Sequence, residues 1–127
     1  MSLDITPMIP GGRQVIQSYR GGVFRISQIE YRGAVIVLPD RTMAWNAASV
    51  ASLRIEDFAA LLGLPRPADI LLLGCGAAMQ LPPAAVRDGL RQAGVIVEPM
   101  DTGAACRTFN VLMSEDRRVA AALLPMP

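Results

Sequence analysis

Apolar and polar residues alternate in short segments along the first third of the chain, and turn-forming residues separate these segments. The alternation runs through RQVIQSYRGG and VFRISQIEYRGAVIVLPD, with breaks at Gly21-Gly22 and Pro39-Asp40. A period of two is typical of strands that bury one face, and Gly and Pro at the breaks are typical of turns. We therefore predict an antiparallel β-meander, to which the segment TMAW adds a further short strand.

The next segment, RIEDFAALLG, changes to helical spacing. Ile55, Phe58 and Leu62 fall on one face of a helix. Gly63 stands where helices often end in a left-handed residue. We predict a short helix that a left-handed Gly63 ends.

The second half of the chain predicts three buried strands that alternate with two helices. The strands are expected at residues 69–73, at VIVEPM and at RRVAAALLP, where Pro125 ends the last one. The two helices are expected at PPAAVRDGLRQAG and TGAACRTFNVLMSE. Apolar side chains spaced for the core are Val86, Leu90 and Ala93 in the first helix and Ala105, Phe109 and Leu112 in the second. Thr102 is a plausible N-cap for the second helix.

Strands joined by one helix of this length run parallel through a right-handed crossover, so their carboxyl ends meet at one edge of the sheet. The loops GCGAAMQ and PMDTGAAC follow these ends. Open α/β sheets usually bind ligands at such an edge, and two helix starts there would make it mildly electropositive. The candidate binding edge therefore consists of Gly74, Cys75, Gly76, Asp101, Thr102, Cys106, Arg107 and Asn110.

Composition narrows the chemistry of this edge. The 127 residues include 12 basic and 11 acidic side chains, and every basic one is Arg, with no Lys and no His. Catalytic triads with His, His metal ligands, Schiff-base lysines and P-loop lysines are therefore excluded. The balanced charge argues against a nucleic-acid partner. We expect no metal, no cofactor and no catalytic residue.

The chain also lacks the features of an exported or membrane-inserted protein. No basic residue precedes Arg13, so the start does not resemble a secretory signal. The longest apolar stretches reach roughly half the length that a membrane-spanning helix needs. Two cysteines make neither a disulfide framework nor a four-ligand zinc site. A cytoplasmic protein without direct membrane insertion is the expectation.

The run ILLLGCGAAM raises the possibility of an S-adenosylmethionine-dependent methyltransferase. Gly74 and Gly76 follow a strand, and Glu98 lies where an acid would hold a ribose hydroxyl. Against this, Leu72 and Leu73 occupy places where that family usually carries an acid. Too few residues follow the motif for the rest of such a fold, and tight turns need glycine for steric reasons alone. We therefore do not adopt this activity.

Three stretches resemble the small-domain family that includes the mitochondrial complex I assembly factor 3. These are FRISQIEYRGAVIVLP, ILLLGCGAAM and MDTGAACRTFNVLMSEDRRVAAALLP, of which Asp101 to Asn110 is the most specific part. The resemblance implies a three-layer α/β fold, in which a β-meander packs with a mixed central sheet flanked by helices. It implies no established enzymatic activity and suggests a partner-binding role. We expect one such domain over residues 13–127, after a loose N-terminal segment over residues 1–12.

The chain departs from the family pattern in two places. Arg54 and Ile55 replace the usual Thr-Pro helix start, which removes an N-cap. Asp116 replaces a glycine, and Asp can still adopt the left-handed backbone of that turn. Both departures are structural.

Two interpretations remain open for each polar residue of the candidate binding edge. Asp101 and Thr102 either hold a ligand or cap the helix that follows them. Arg107 either meets an anion or pairs with Asp101. Asn110 binds either a substrate or the backbone.

The two cysteines have similar alternatives. Cys106 either has a thiol pKa lowered by the helix N-terminus or is a buried structural residue, and we favour the second. Cys75 is expected to serve packing. Both are expected on neighbouring loops at the same edge, with their thiols reduced.

Two classes of function follow from these residues. The leading hypothesis is a non-enzymatic assembly or interaction factor, a monomer or weak homodimer. Its expected protein partner is a membrane complex or its assembly machinery, which would place the chain beside the inner membrane. The alternative is a small-molecule or nucleotide binder, or a minor enzyme, that uses the strand-end cleft. An exposed apolar patch favours the first class, and a closed polar pocket of ~300 Å³ or more favours the second.

Overall fold

The computed structural model describes residues 13–127, and the expected loose segment over residues 1–12 lies outside this range. In the described part the strands are β1 (Ile16–Ser18), β2 (Val23–Ile26), β3 (Ile29–Arg32), β4 (Val35–Val37), β5 (Thr42–Ala44), β6 (Ile70–Cys75), β7 (Ile96–Met100) and β8 (Val119–Leu124). The helical segments are a 3₁₀ helix (Ile55–Phe58), α1 (Ala59–Leu62), α2 (Ala84–Gln92) and α3 (Thr102–Ser114).

These strands form two sheets. The smaller sheet is the antiparallel meander β1-β2-β3, and the larger one has the order β5-β4-β8-β6-β7. Strand β6 runs parallel to both β7 and β8, whereas β4 runs antiparallel to β5 and β8. The predicted α/β fold with a meander and a mixed sheet is confirmed. The predicted meander is divided, because β4 belongs to the larger sheet.

Two apolar clusters lie on opposite faces of the larger sheet. The α2-side cluster, beneath the 3₁₀ helix, α1 and α2, contains Phe58, Leu61 and Leu90 among its buried residues. The α3-side cluster contains Phe24 from the smaller sheet and Phe109 from α3. Strand β8 is buried along its whole length and alternates between the two clusters. Helices and the smaller sheet thus cover both faces, which gives the three layers.

The β2–β3 hairpin turns through Ser27 and Gln28, which have φ angles of 48° and 75°. Positive φ at both central residues defines a two-residue turn whose twist matches that of the flanking strands. The register pairs Ile26 with Ile29 directly across this turn. The Ser27 hydroxyl accepts a hydrogen bond from the Val15 N–H at 3.0 Å, which ties the turn to the chain before β1.

The prediction that VIVEPM forms a buried strand is wrong. Strand β7 lies at the edge of the larger sheet, with Ile96 59% exposed and Glu98 exposed as well. The reason is topological, because β8 takes the inner place beside β6 and leaves β7 outside. Pro99 suits an edge strand, since it has no N–H to donate.

The predicted apolar face of the first helical segment is confirmed, since Ile55, Phe58 and Leu62 all contact the α2-side cluster, although the segment begins as a 3₁₀ helix. Two details of the predicted helices are wrong. Gly63 is right-handed, with φ of −77°. Its N–H donates to the Ala59 carbonyl, so the last helical turn continues through Gly63 and no left-handed cap forms. Ala93 is exposed, because α2 ends at Gln92.

Candidate binding edge at the carboxyl ends of the parallel strands

Thr102 connects the ends of two strands to the start of α3. Its Oγ1 accepts a hydrogen bond from the Gly76 N–H at 2.8 Å and donates one to the Leu124 carbonyl at 2.6 Å. Its own N–H donates to the Gly76 carbonyl at 2.9 Å, and the side chain is fully buried. This hydroxyl therefore completes the backbone hydrogen bonding where β6 and β8 end.

The prediction that Thr102 is the N-cap is wrong, because Asp101 has that place. Asp101 is extended, and its Oδ1 accepts a hydrogen bond from the Ala104 N–H at 2.9 Å. Thr102 is already the first helical residue. Of the two interpretations of Asp101, capping is observed.

The Gly-Cys-Gly turn has a steric explanation at both glycines. A Cβ atom on Gly74 would lie 2.8 Å from Leu123 Cδ2 and 3.0 Å from Thr102 Oγ1, so only glycine lets α3 approach β6 this closely. Gly76 has φ of +87°, which favours glycine. The expected second helix start is not at this turn, since α2 begins only at Ala84.

The two cysteines, which were expected on neighbouring loops of this edge, lie on opposite faces of the larger sheet. Cys75 is buried in the α2-side cluster and Cys106 in the α3-side cluster, so the larger sheet separates them. Both thiols are free.

Burial decides between the two interpretations of Cys106. Desolvation raises the pKa of the Cys106 thiol to about 12, and nearby Arg107 opposes this with a smaller effect. Burial also raises the pKa of the Cys75 thiol. Neither thiol has the lowered pKa of a reactive cysteine.

Arg107 and Tyr19 form a polar contact at the outer side of the edge. Arg107 Nη1 donates to the Tyr19 hydroxyl at 3.0 Å. The ion pairs of residues 13–127 do not include Arg107 with Asp101, so the second of the two interpretations of Arg107 is wrong. Sequence reasoning missed Tyr19, because a contact across 88 positions leaves no local pattern.

Asn110 lies further along α3, and its side chain binds the backbone. This confirms one of the two interpretations given for it. Its Oδ1 accepts from the Ile16 N–H at 2.9 Å, and its Nδ2 donates to the Ile16 carbonyl at 2.8 Å. The side chain is buried, so this amide connects α3 to β1.

An exposed apolar loop, residues 77–81, leaves the edge directly after Gly76. All five residues are exposed, with Met79 at 56% and Leu81 at 65%. The base of the loop is held in place, because Cys75 Sγ contacts the Gln80 carbonyl at 3.4 Å and Pro82 is buried. Sequence reasoning missed this loop, although the absence of any Asp, Glu, Lys or Arg between Asp69 and Arg87 was a signal that could have found it.

Two concavities lie away from this edge. One, of about 50 Å³, is at the opposite end of the strands and is lined by Leu38, Pro39, Leu61, Leu64, Arg66, Ala68, Arg118 and Val119. The other, of about 250 Å³, lies between α2 and β7 and is lined by Arg87, Asp88, Arg91, Val95, Ile96 and Val97. Neither is lined by a residue of the candidate binding edge.

Within residues 13–127, no three His, Cys, Asp or Glu side chains are grouped so that they could hold a metal ion. Over the same part of the chain, no helix combines the length and the apolar character needed to cross a bilayer.

The fold and this edge define a small three-layer α/β domain whose strand ends are closed by internal hydrogen bonds. The chain belongs to the family described as protein of unknown function (DUF498/DUF598), whose model matches residues 16–124.

Three known proteins show how far this similarity extends. An uncharacterised protein of Rhodobacter capsulatus is 40% identical over 125 residues, which cover 97% of this chain and 95% of that protein. The zebrafish NADH dehydrogenase [ubiquinone] 1 alpha subcomplex assembly factor 3 is 38% identical over 113 residues, covering 89% of this chain but only 65% of that protein. The crystal structure of an outer membrane protein from Bartonella henselae superposes with a TM-score of 0.84 at 33% identity, covering 94% of this chain and all of that one (100%).

Proposed function

We propose that this chain is a non-enzymatic assembly or interaction factor that binds a protein partner through its strand-end edge. The observation that carries the proposal is the 77–81 loop, which holds Met79 and Leu81 exposed on a fixed base. Exposed apolar side chains on a rigid support suit protein binding, because little conformational entropy is lost when a partner covers them. Similarity to an assembly factor supports the same class of function.

The hydrogen bonding at the start of α3 supports this function over small-molecule binding. Helix N-termini bind anions through free N–H groups. Here the Thr102 N–H donates to the Gly76 carbonyl and the Ala104 N–H to Asp101, so two of the first three N–H groups of α3 have partners within the chain. The space above Gly74 is filled by Leu123 and Thr102.

The finer parts of the proposal concern the partner and its location. The zebrafish relative is an assembly factor named for NADH dehydrogenase. By analogy, the proposed partner belongs to a membrane complex or its assembly machinery. The chain would then act as a monomer or weak homodimer on the cytoplasmic side, held near the inner membrane by that partner.

Cross-linking with photo-leucine in the native organism, followed by mass spectrometry, tests this proposal, because the chain has no Lys side chain for amine-reactive reagents. Met79→Glu places a charge in the apolar loop and is expected to abolish cross-links to a partner, whereas the wild type forms them. Val111→Glu is the matched control, because Val111 is 54% exposed on α3, outside the loop. Equal cross-linking by all three proteins would refute a role for the loop.

Asp101→Asn separates a cap from a partner contact at the same edge. Asn caps helices about as well as Asp, so the substitution is expected to cost no more than ~1 kcal/mol of unfolding free energy. Cross-linking that is lost while the fold persists would assign Asp101 to the binding surface. A thermal-shift screen of nucleotides and metabolites addresses the alternative function, which a clear stabilisation by one compound would favour.

A further inference from the structure

The free edge of β7 and the adjacent helix α2 form a groove of the kind that takes up an extended peptide. Among the described residues, β7 pairs only with β6, so its outer side has no strand beside it. The concavity of about 250 Å³ lies along this side, with β7 as one wall and α2 as the other. Peptides add to sheet edges in such grooves through main-chain hydrogen bonds.

The register shows which backbone groups of β7 face outward. The Ile96 N–H donates to the Asp69 carbonyl of the β6 side at 3.0 Å. Because bonding direction alternates along a strand, residues 96, 98 and 100 bond toward β6, while Val97 and Pro99 face the free edge. The outward groups are therefore the N–H and carbonyl of Val97 and the carbonyl of Pro99.

Pro99 and Val95 limit how long an added strand can be. Pro99 has no N–H, and the Val95 N–H already donates to the Leu90 carbonyl at 2.9 Å. An antiparallel segment can thus exchange two hydrogen bonds with Val97 and donate one to Pro99. The edge of β7 can therefore pair with a short strand centred on Val97. It cannot extend that pairing to a long strand, because Val95 and Pro99 offer no outward N–H.

The side chains of the groove indicate the chemistry of its occupant. Val97 packs on the α2 side of the sheet, so the residue opposite it would point into the groove. Arg87 and Arg91 line the helix wall, and of these two only Arg91 is paired with an acid of the described residues, with Asp88 at 2.7 Å. An acidic side chain opposite Val97 would lay its stem on Val95 and its carboxylate beside the arginines.

We propose that the groove between β7 and α2 binds an extended, acidic segment of a protein partner by antiparallel strand addition at Val97. This surface is distinct from the 77–81 loop. The inference shares with the proposed function only the premise that the chain binds protein. The two can therefore fail separately.

Selection of displayed random ten-residue peptides on the whole chain tests this inference. Enriched peptides are expected to carry Asp or Glu within a β-branched segment. Val97→Pro removes the one outward N–H without touching a hydrogen bond to β6, and it is expected to weaken binding of the enriched peptides about tenfold or more. Pro99→Val adds an outward N–H and is expected to tighten binding several-fold.

Charge variants and amide exchange complete the test. Arg91→Glu is expected to abolish peptide binding, whereas Arg32→Glu, an exposed arginine on β3, leaves it unchanged. The Val97 amide should become protected from hydrogen exchange when the peptide binds. Peptide binding should persist in Met79→Glu, which separates this groove from the loop.

Failure to enrich acidic peptides, or equal binding by Val97→Pro and the wild type, would overturn the inference. Sedimentation that shows a wild-type dimer dissociated by Val97→Pro would also overturn it, because the edge would then belong to a second copy of the chain.

Discussion

At Thr102, one hydroxyl group satisfies two backbone groups that belong to different strand ends. The Gly76 N–H and the Leu124 carbonyl both lie at the buried start of α3, where water cannot replace a lost partner. Glycine at position 74 makes the contact possible, because any side chain there would overlap Thr102 and Leu123. The most specific part of the family resemblance, Asp101 to Asn110, thus begins with residues whose observed contacts are within the chain.

Thr102→Val tests this role, since it keeps the shape of the side chain and removes the hydroxyl. A buried polar group without a partner costs about 1–3 kcal/mol, so two of them are expected to lower the unfolding free energy by about 2–6 kcal/mol. Thr102→Ser is the control, because it keeps the hydroxyl and loses only a methyl group, worth about 1 kcal/mol. Urea denaturation measures both. Equal losses would show that the hydroxyl has no special role.

Cys106 is expected to be unreactive while the chain is folded. Its pKa of about 12, against 9.0 for an exposed thiol, lowers the thiolate fraction near neutral pH about a thousandfold. In a Cys75→Ala variant, alkylation by iodoacetamide at pH 8 should therefore be about a thousandfold slower without urea than with it. Because folding raises this pKa, the neutral thiol stabilises the fold fully below pH 9, and this contribution is lost as the pH rises toward 12. Rapid labelling of the folded variant would contradict the buried position.

At the scale of elements, the period and spacing of apolar residues predicted most of the strands and helices, but not which elements lie beside one another. Alternation found β1 to β4, and the apolar spacing of α3 placed Phe109 in the core. The exposure of β7 was missed, because no local pattern predicts that β8 lies between β4 and β6. This order leaves β7 at the outer side of the sheet. The Tyr19–Arg107 contact was missed for the same reason, and so was Ile16 as the backbone partner of Asn110, since each contact joins elements far apart in the chain.

The β2–β3 hairpin offers a stability test within one element. Gln28 has φ of 75°, a conformation that costs a side-chain-bearing residue roughly 1 kcal/mol. Gln28→Gly is therefore expected to raise the unfolding free energy by about 0.5–1 kcal/mol. Gly33→Ala, at φ of +83° with open space around it, should lower the unfolding free energy by a similar amount. Thermal denaturation of both variants checks the opposite signs, and a loss of stability in both would refute the strain argument.

At the scale of the whole molecule, the larger sheet carries an apolar cluster on each face, and β8 belongs to both. Ala120 and Ala122 face the α2-side cluster, while Ala121 and Leu123 face the α3-side cluster. Small side chains on this central strand let both layers pack close to the sheet. A disturbance of either cluster should therefore reach the other through β8, and we propose that residues 13–127 unfold as one cooperative unit.

Trp45 is the single tryptophan of the chain, so its fluorescence reports the unfolding of the α2-side cluster alone. It packs on Phe58 in the α2-side cluster, with ring centroids 5.4 Å apart. Phe109→Ala creates a cavity in the α3-side cluster and is expected to cost about 3–5 kcal/mol. If the clusters unfold together, this substitution shifts the Trp45 fluorescence transition and the far-ultraviolet circular dichroism transition to the same lower urea concentration. Leu61→Ala is the counterpart in the α2-side cluster and should shift both signals together as well. A Phe109→Ala protein whose circular dichroism transition moves while its fluorescence transition stays in place would show that the two faces of the sheet unfold independently.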